Sequence, residues 1–396
     1  MSKITDLIAK YCPNGVKQVC IGDICKISRG RVMSKDYLRD NYGEYPVYSS
    51  QTVNNGMLGQ INTFDYDGEY LTWTTDGANA GSVFYRTGKF SITNVCGLLQ
   101  IMMDDIDVKY LHYALGAVAK KYVNAGMGNP KLMSNVMAKV EVLIPPLPVQ
   151  QEIVRILDSF TELEAELEAE LEARKKQYEH YRDKLLNFAD ISQGGVRTMA
   201  LWEITSWDKR FNGVEKHMQN KIIKYPYLLA KDMNSLECEN GDVRLLGTGI
   251  GKSGYTTECL AGKHLCDGEV VAIPWGGTPN VKYHKGKFVT SDNRIATSND
   301  TDVLNNKFLF YWLSNNIDTL KTFYKGAGIQ HPTMKSVLMM QIPIPPLAEQ
   351  ERIVAILDKF DALVNDISDG LPAEINARRQ QYEYYRDKLL SFPMAA

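Results

Sequence analysis

A long motif that occurs twice constrains this chain more than any other feature of its 396 residues. The letters Ile-Pro-Pro-Leu-x-x-Gln-x-x-Ile-Val-x-Ile-Leu-Asp-x-Phe run over 144–160 and recur at 344–360. A second shared stretch, 177–188, recurs at 381–392, so the second copy carries four extra residues in between. An internal period of this length indicates a tandem duplication of a whole module rather than a solenoid.

Each copy of the motif predicts a long helix. Pro148 can occupy a first helical turn, and the apolar and aromatic residues after it are spaced as on one face of a helix. A continuous helix from Pro148 to Phe188 would be about 60 Å long at 1.5 Å per residue. In the second copy Gly370 and Pro372 predict a break. Two helices with matching stripes are expected to bury those stripes against each other.

The composition is that of an ordinary globular protein, with 44% hydrophobic and 23% charged residues. No apolar run reaches the ~20 residues that a bilayer span needs, and the first 15 residues show no export-signal pattern. The seven cysteines form no Cys-x-x-Cys pair, which is typical of reduced thiols. We therefore expect a cytoplasmic protein without disulfides.

The net charge of −2 is unevenly distributed. Residues 15–145 hold 13 basic and 12 acidic side chains, and residues 195–343 hold 18 and 14. The helical stretch 146–194 holds 6 basic and 11 acidic side chains, and the stretch 344–396 holds 6 basic and 9 acidic side chains. The acidic charge thus lies on the helices, and the neutral to mildly basic globular parts permit a DNA-facing surface.

The duplication also fixes the predicted segments. Gly15-Val16-Lys17 at the start of the first module is echoed by Gly195-Val196-Arg197. Aromatic and β-branched runs between Gly, Asn and Asp turns predict short strands, and each module also carries one predicted helix, at 108–113 or 306–311. The segments are a helical lead-in (1–14), a first module (15–145), a central helical spacer (146–194), a second module (195–343) and a C-terminal helical spacer (344–396).

The order of module, Ile-Pro-Pro-Leu helix, different module and same helix resembles the specificity (S) subunit of type I restriction–modification systems, over nearly the whole chain. The resemblance implies an α/β (α+β) fold: two target recognition domains joined by two long helices in an antiparallel coiled-coil spacer, with a pseudo-two-fold internal repeat. Each domain would read half of a gapped site in double-stranded DNA. Its partners would be two methyltransferase (M) subunits, which methylate adenine, and restriction (R) subunits, which cut DNA. S-adenosylmethionine, ATP and Mg²⁺ would belong to those partners, and this chain would need no cofactor.

A tetrapeptide repeat in the first helix fits the same family. Leu163, Leu167 and Leu171 recur every four residues among Glu and Ala, which as local structure is a strong helix former with a solvated acidic face. Relatives carry a four-residue repeat at this place that sets the gap between half-sites. Four helical residues add about 6 Å, which is at most about two base pairs.

Motifs for catalysis are weak or missing in the sequence. Gly247 to Ser253 looks like a phosphate-binding loop, but it has three residues, not four, between Gly247 and the Gly-Lys-Ser end. No Asn/Asp-Pro-Pro-aromatic motif for methyl transfer, no cluster of carboxylates with lysine and no histidine pair at metal spacing is present. We expect a non-catalytic chain without a metal site. Two alternatives stay open: a nucleotide-binding hydrolase using Gly247–Ser253, and a scaffold that does not bind DNA.

DNA contacts are expected from loops that combine basic or amide side chains with glycine. Arg29 and Arg31 are the foremost candidates for phosphate or guanine contact. The first module further offers Lys35, Thr75, Asn79, Arg86, Lys89, Asn129 and Lys131, and the second offers Lys252, Ser253, Trp275, Thr278, Asn280, Lys285, Lys287, Gln330, His331 and Lys335.

Overall fold

The computed structural model describes residues 2–126, 128–188, 196–251, 254–365 and 370–394. The chain forms two compact units, one made of Met1–Ala169 with Glu374–Ala396 and the other of Glu170–Ala373. Each unit therefore contains one module together with parts of both helical segments. Lys252 and Ser253 lie outside the described residues.

The lead-in and the first module combine short helices with many short strands. The helices are α1 (Ser2–Tyr11), α2 (Ile21–Ile24), α3 (Lys35–Asp40), α4 (Val108–Val118) and α5 (Ser134–Met137). The strands are β1 (Lys17–Cys20), β2 (Cys25–Arg29), β3 (Tyr45–Tyr48), β4 (Met57–Ile61), β5 (Tyr66–Asp67), β6 (Tyr70–Thr74), β7 (Val83–Arg86), β8 (Lys89–Ile92), β9 (Cys96–Ile101) and β10 (Glu141–Ile144).

These strands form two four-stranded sheets and a two-stranded ribbon. One sheet has the antiparallel order β2-β9-β6-β7, and the other has the order β4-β3-β8-β5, in which β3 and β8 are parallel. The ribbon pairs β1 with β10, so that the module's first and last strands close on each other.

A single tryptophan links the first module's sheet to a neighbouring loop. Trp73 on β6 is fully buried and pairs across the sheet with Gly97, where a Cβ would lie 2.2 Å from the indole ring. Only glycine leaves room for the ring at that position. The indole Nε1 donates to the Leu132 carbonyl oxygen at 2.9 Å, which anchors the loop before α5 on the end of β6.

The second module also combines short helices with strands. Its helices are α7 (Leu201–Ile204), α8 (Ala230–Asn234), α9 (Glu258–Ala261), α10 (Asn306–Asn315), α11 (Ile317–Thr322) and α12 (Met334–Leu338). Its strands are β11 (Arg197–Ala200), β12 (Thr205–Trp207), β13 (Val243–Leu246), β14 (Tyr255–Thr256), β15 (Cys266–Pro274), β16 (Lys282–Thr290), β17 (Asn293–Ser298), β18 (Tyr324–Lys325), β19 (His331–Pro332) and β20 (Gln341–Ile344).

The sheet of the second module differs from those of the first. It has six strands in the order β12-β17-β15-β16-β13-β14, in which β13 and β16 are parallel. The long hairpin β15–β16 forms the middle of this sheet. The ribbon β11-β20 repeats the closure seen in the first module.

The repeated motif forms long helices, as predicted. The first copy is one helix, α6 (Leu147–Leu186), whereas the second is α13 (Leu347–Asn365) followed by α14 (Leu371–Leu389). The break at Gly370 and Pro372 is confirmed, because α13 ends before Gly370 and Pro372 lies in the first turn of α14. In the first unit Phe160 stacks on Tyr385 with ring centroids 5.5 Å apart.

The partner helices run antiparallel in the first unit. Arg379 of α14 binds both Glu164 and Glu168 of α6. These glutamates follow Phe160 along α6, whereas Arg379 precedes Tyr385, the partner of Phe160, along α14. The two helices therefore run in opposite directions. In the second unit the rings of Tyr181 and Phe360 stack with centroids 5.7 Å apart. The predicted burial of one stripe against the other is thus confirmed within each unit.

The glutamine of the motif has the same role in both copies. Gln150 is fully buried, accepts from the Asp107 amide at 2.8 Å and donates to the carbonyl oxygens of Asp105 and Pro145. Gln350 does the same with the amide of Asn305 and the carbonyl oxygens of Val303 and Pro345. Because Asp107 and Asn305 are the N-cap residues of α4 and α10, this glutamine joins the start of each long helix to the module before it.

Candidate nucleic-acid interface

In the first module, several candidate residues meet at the end of β6. Arg29, exposed at the end of β2, donates from Nη2 to Thr75 Oγ1 at 2.7 Å. Thr75 is fully buried, and its hydroxyl donates to the Val95 carbonyl oxygen at 2.8 Å. The Thr75 side chain therefore does not face solvent; its place in the structure is to hold the guanidinium of Arg29 at the surface.

The loop between β6 and β7 brings the amide and lysine candidates to the same place. Asn79, exposed in this loop, donates to Thr52 Oγ1 at 3.2 Å. The Gly77 amide donates to the Pro130 carbonyl oxygen at 3.0 Å, and Asp76 pairs with Lys131 in an isolated β-bridge. Asn129 and Lys131 are both exposed. Arg29, Asn79, Asn129 and Lys131 thus share one end of the module, which we call the first loop surface.

Arg31 lies close by but is partly engaged. Its Nη1 donates to the Tyr37 hydroxyl at 2.9 Å and its Nε lies 3.1 Å from Asp65 Oδ2. The hydrogen bond with Tyr37 comes first among the causes that raise the pKa of Arg31. Its side chain stays 42% exposed, so a phosphate could still reach the guanidinium. Lys35 is exposed in the first turn of α3.

Two candidates of the first module lie elsewhere. Arg86 is only 3% exposed, with its guanidinium 3.6 Å from the centre of the Tyr48 ring and its Nε bonded to Thr72 Oγ1. Burial lowers the pKa of Arg86. The expectation that Arg86 presents its charge on a surface loop is therefore corrected: β7 turns this side chain inward. Lys89 begins β8 beyond the other end of the β6–β7 hairpin, over the ring of Phe64.

In the second module the equivalent hairpin end carries an aromatic cluster. Trp275 follows β15 directly, and the Arg294 guanidinium lies 3.9 Å from the centre of its ring. The His331 ring lies 5.1 Å from the Trp275 ring, and His331 Nδ1 lies 2.7 Å from the Trp275 carbonyl oxygen. That nitrogen must therefore carry the proton, because a carbonyl oxygen only accepts. Trp275 is held from two sides by a cation and an imidazole.

The other candidates of this loop are close together. The Gly277 amide donates to the Gln330 carbonyl oxygen. Both Gln330 and Thr278 are exposed residues. Asn280 Nδ2 donates to the carbonyl oxygens of Thr248 and Thr278, each at 3.0 Å. Trp275, Thr278, Asn280, Gln330 and His331 form the second loop surface.

Three candidate lysines of the second module are paired with glutamates. Lys285 and Lys287 lie towards the far end of the β15–β16 hairpin, where Lys285 Nζ is 3.4 Å from Glu269 Oε2 and Lys287 binds Glu258. Lys335 in α12 is 2.7 Å from Glu215. The structure does not bring Lys285 and Lys287 together with Trp275 and Asn280.

Several residues at the two surfaces were not singled out from the sequence. Asn54 and Asn55, both exposed with φ of 51°, form the tip of a turn beside Thr52, and the letters Asn-Asn-Gly could have signalled it. In the second module, Lys282 Nζ donates to the carbonyl oxygens of Gly247 and Gly249, and burial lowers its pKa to about 8. No local pattern of residues points to Lys282 or to Arg294, because the roles of both depend on contacts between distant strands.

The leucines of the tetrapeptide repeat lie on one half-buried face of α6. Leu163, Leu167 and Leu171 are each partly buried, whereas Glu166 and Glu170 on the other sides are exposed. Leu163 and Leu167 belong to the first unit and Leu171 to the second. All three leucines lie within the single helix α6, so the repeat is helical throughout.

The described part of the glycine-rich stretch, residues 247–251, does not have the geometry of a phosphate-binding loop. The next regular element among the described residues is strand β14, which pairs antiparallel with β13, whereas a phosphate-binding loop opens a helix. The carbonyl oxygens of Gly247 and Gly249 accept hydrogen bonds from Lys282.

Among the described residues no His, Cys, Asp and Glu side chains form a group that could hold a metal ion. The seven cysteines are unpaired. No helix in the described ranges is long and apolar enough to cross a bilayer.

Comparison with known proteins identifies the architecture. The family model for the type I restriction modification DNA specificity domain matches twice, at residues 13–173 and 215–377. A putative type I specificity subunit of Mycoplasma pneumoniae is 34% identical over 94% of this chain and 96% of its own length. The specificity subunit of the type I restriction enzyme MpnII of the same organism is 46% identical over 42% of this chain and 52% of its own length.

Solved structures show the same fold. The crystal structure of a type I restriction–modification S subunit from M. genitalium has a TM-score of 0.63 at 17% identity, covering 95% of this chain and 96% of that one. A chain from a study of complex assembly and conformational transition of a type I system has a TM-score of 0.53 at 14% identity, covering 96% and 98%. The predicted fold class is confirmed.

Proposed function

This chain belongs to the type I restriction–modification DNA specificity family, and from that premise we propose that its two modules each read one half of a gapped DNA site. As a specificity subunit it is a non-catalytic, DNA-recognising component. The hydrolase alternative is therefore wrong for this chain, in keeping with the strand, rather than a helix, at β14. The reading of two separate half-sites, the partners and their chemistry are our proposal.

The observation that carries the proposal is that equivalent hairpin ends carry different side chains. The β6–β7 and β15–β16 hairpins occupy corresponding places in the repeat, and each turns through one loop surface. The first surface offers Arg29, Asn79 and Lys131, whereas the second offers Trp275, Asn280 and Gln330. Arginine and amide side chains can form paired hydrogen bonds with base edges, so different sets read different letters.

The partners supply the chemistry. Two M subunits bound to this chain would methylate adenine in each half-site with S-adenosylmethionine, and R subunits would use ATP and Mg²⁺ to restrict unmodified DNA. The target adenine would be flipped into the pocket of the M subunit. In this proposal the chain itself would need no cofactor and would act on chromosomal and foreign DNA in the prokaryotic cytoplasm.

A methylation map tests the proposal directly. DNA from cells that express this chain with the methyltransferase encoded beside it should show a two-part motif separated by a fixed unspecified gap. The same cells without this chain should lose the motif. A continuous motif, or methylation that is indifferent to this chain, would contradict the proposal.

The scaffold alternative has its own test. Binding of the full chain and its methyltransferase to DNA carrying the mapped site should weaken steeply as salt rises, because phosphate contacts release counterions. A scaffold that does not bind DNA would show no affinity that depends on salt.

A further inference from the structure

Both modules contain the same chain of polar contacts between their hairpin and the long helix that follows. In the first module the Tyr85 hydroxyl donates to Glu69 Oε1 at 2.7 Å. The Lys109 ammonium of α4 lies 5.8 Å from the centre of the Tyr85 ring, and its Nζ is 2.6 Å from Asp158 Oδ2 on α6. Four residues thus connect the hairpin β6–β7 to the long helix.

The second module repeats this arrangement with different neighbours. Tyr283 donates to Glu269 Oε1 at 2.8 Å, and the Lys307 ammonium lies 5.3 Å from the centre of the Tyr283 ring. Lys307 Nζ is 2.7 Å from Asp358 Oδ2 on α13. We call Glu69–Tyr85–Lys109–Asp158 the first brace and Glu269–Tyr283–Lys307–Asp358 the second brace.

A tyrosine hydroxyl fixes the geometry of each aspartate. Tyr113, four residues after Lys109, donates to Asp158 Oδ1 at 2.7 Å. Tyr311, four residues after Lys307, donates to Asp358 Oδ1 at 2.6 Å. Residues four apart share one face of a helix, so lysine and tyrosine grip the two oxygens of one carboxylate together.

An isolated ion pair with this exposure would contribute little. Lys109 and Asp158 are 44% and 23% exposed, so solvent screens the attraction between their charges. The braces differ from such pairs because each carboxylate has two donors and each lysine also lies over an aromatic ring. Burial, followed by the bond to Glu69, raises the pKa of Tyr85 to about 12, so its hydroxyl stays a donor.

The recurrence is informative because the modules are otherwise unlike. The first has two four-stranded sheets and the second a single six-stranded sheet. In both, the braced hairpin ends in a loop surface: the first hairpin turns through the loop that holds Asn79, the second through the loop that holds Trp275 and Asn280. Each brace therefore connects the element that presents candidate DNA-reading groups to the helix that spaces them.

We propose that the two braces fix the orientation of each recognition hairpin on its long helix, and thereby set how strictly the protein discriminates the gap between half-sites. Glu69, Tyr85, Lys109 and Asp158 act as positioning residues, as do their counterparts, and none of them reads a base. The proposal rests on the proposed function, because a gap exists only if both modules read DNA.

The test compares binding to DNA with the native gap and to DNA with the gap altered by one base pair. The protein is the full chain with its methyltransferase, and the site is the one found by methylation mapping. Asp158→Asn and Asp358→Asn should each lower the ratio of the two affinities about tenfold, with unchanged half-site letters. Glu166→Gln on α6 and Glu351→Gln on α13, both exposed carboxylates outside the braces, should leave the ratio unchanged.

Milder variants separate positioning from folding. Tyr85→Phe and Tyr283→Phe remove only one hydroxyl and should lower the same ratio by a smaller factor at unchanged melting temperature. The double variant Lys109→Met, Asp158→Asn should lose no more discrimination than Asp158→Asn alone, because Lys109 acts through its contact with Asp158.

The outcomes distinguish the two proposals. If the aspartate and tyrosine variants are folded and keep the gap discrimination of the wild type, the brace proposal is overturned and the proposed function stands. A change of half-site letters in Asp158→Asn would also overturn it, since a base-reading role would then be shown. If the wild-type complex itself shows no two-part site, both proposals fail together.

Discussion

The two modules differ most at their loop surfaces and least where they join their long helices. At the junctions, Gln150 and Gln350 make equivalent sets of three hydrogen bonds. Asp158 and Asp358 each bind one lysine and one tyrosine of their own module, at equivalent positions. At the loop surfaces, an arginine held by a buried threonine has its counterpart in a tryptophan between an arginine and a histidine. The difference teaches that the duplicated contacts set position, while the diverged contacts set which surface is presented.

The most drastic way to break this comparison is to exchange one module. Replacing residues 15–145 by the corresponding module of another family member should change one half-site completely and leave the other and the gap unaltered. Methylation mapping of cells that express the hybrid reads all three at once. Exchange of residues 195–343 is the matched control and should change only the other half-site. A hybrid that alters both half-sites would contradict independent reading.

The next largest effect is expected from shortening the helix between the modules. Deleting Leu167 to Glu170 removes four residues from α6, which is about 6 Å of helix. The gap should shorten by about one or two base pairs at 3.4 Å per step, with both half-sites retained. Mapping the methylated motif measures the gap. Changed half-site letters at an unchanged gap would show that the repeat is not a spacer.

A half-buried histidine makes the stability of the first module depend on pH, whereas the second module has a phenylalanine at the equivalent position. Burial lowers the pKa of His112 on α4 to about 4, whereas the equivalent position on α10 is Phe310. The unfolded chain takes up a proton near pH 6.5 and the folded chain does not, so stability falls as pH drops from 6.5 towards 4. His112→Phe should remove about 3 kcal/mol of this loss at pH 4. Urea unfolding of both proteins at pH 7 and at pH 4 to 5 measures it, and an equal acid loss in both would contradict the assignment.

A smaller effect is expected from single side chains of the first loop surface. Arg29→Ala should weaken binding of the mapped site by about 1–3 kcal/mol, because it removes a cation that the buried Thr75 holds in place. Arg39→Ala, which removes an exposed arginine paired with Asp36 and Asp40 on α3, is the control and should change affinity little. Affinities measured at one fixed salt concentration decide the matter. Equal losses for both variants would mean that Arg29 acts only through net charge.

The smallest effect is expected from lysines at the far end of the second hairpin. Lys285→Ala and Lys287→Ala remove charges that are bound to Glu269 and Glu258 away from the second loop surface. Affinity for the mapped site should change by less than about 0.5 kcal/mol, as for ordinary surface substitutions. Equilibrium binding of each variant beside Trp275→Ala tests this. A larger loss from the lysine variants than from Trp275→Ala would place the DNA surface at the other end of the hairpin.

The sequence predicted the architecture well because that architecture is written in local patterns. Apolar residues three and four positions apart predicted the long helices, and Gly370 with Pro372 predicted the break between α13 and α14. The strands at 45–48, 70–74 and 83–86 were visible from aromatic and β-branched runs between turns. The site was less predictable: Arg86 carries the right chemistry but its strand turns it inward, and Thr75 is buried.

The duplicated module and the long helix after each copy can be recognised from the residues alone, because hydrophobic periodicity and an internal repeat need no knowledge of distant contacts. Which side chains share a surface depends on the three-dimensional fold. Trp275, Arg294 and His331 are brought together by β15, β17 and β19, and Lys282 reaches the Gly247 loop across the parallel pair β13–β16. Strand pairing between distant segments determines which side chains meet and which face of each strand is buried, and neither is encoded in any local stretch of letters.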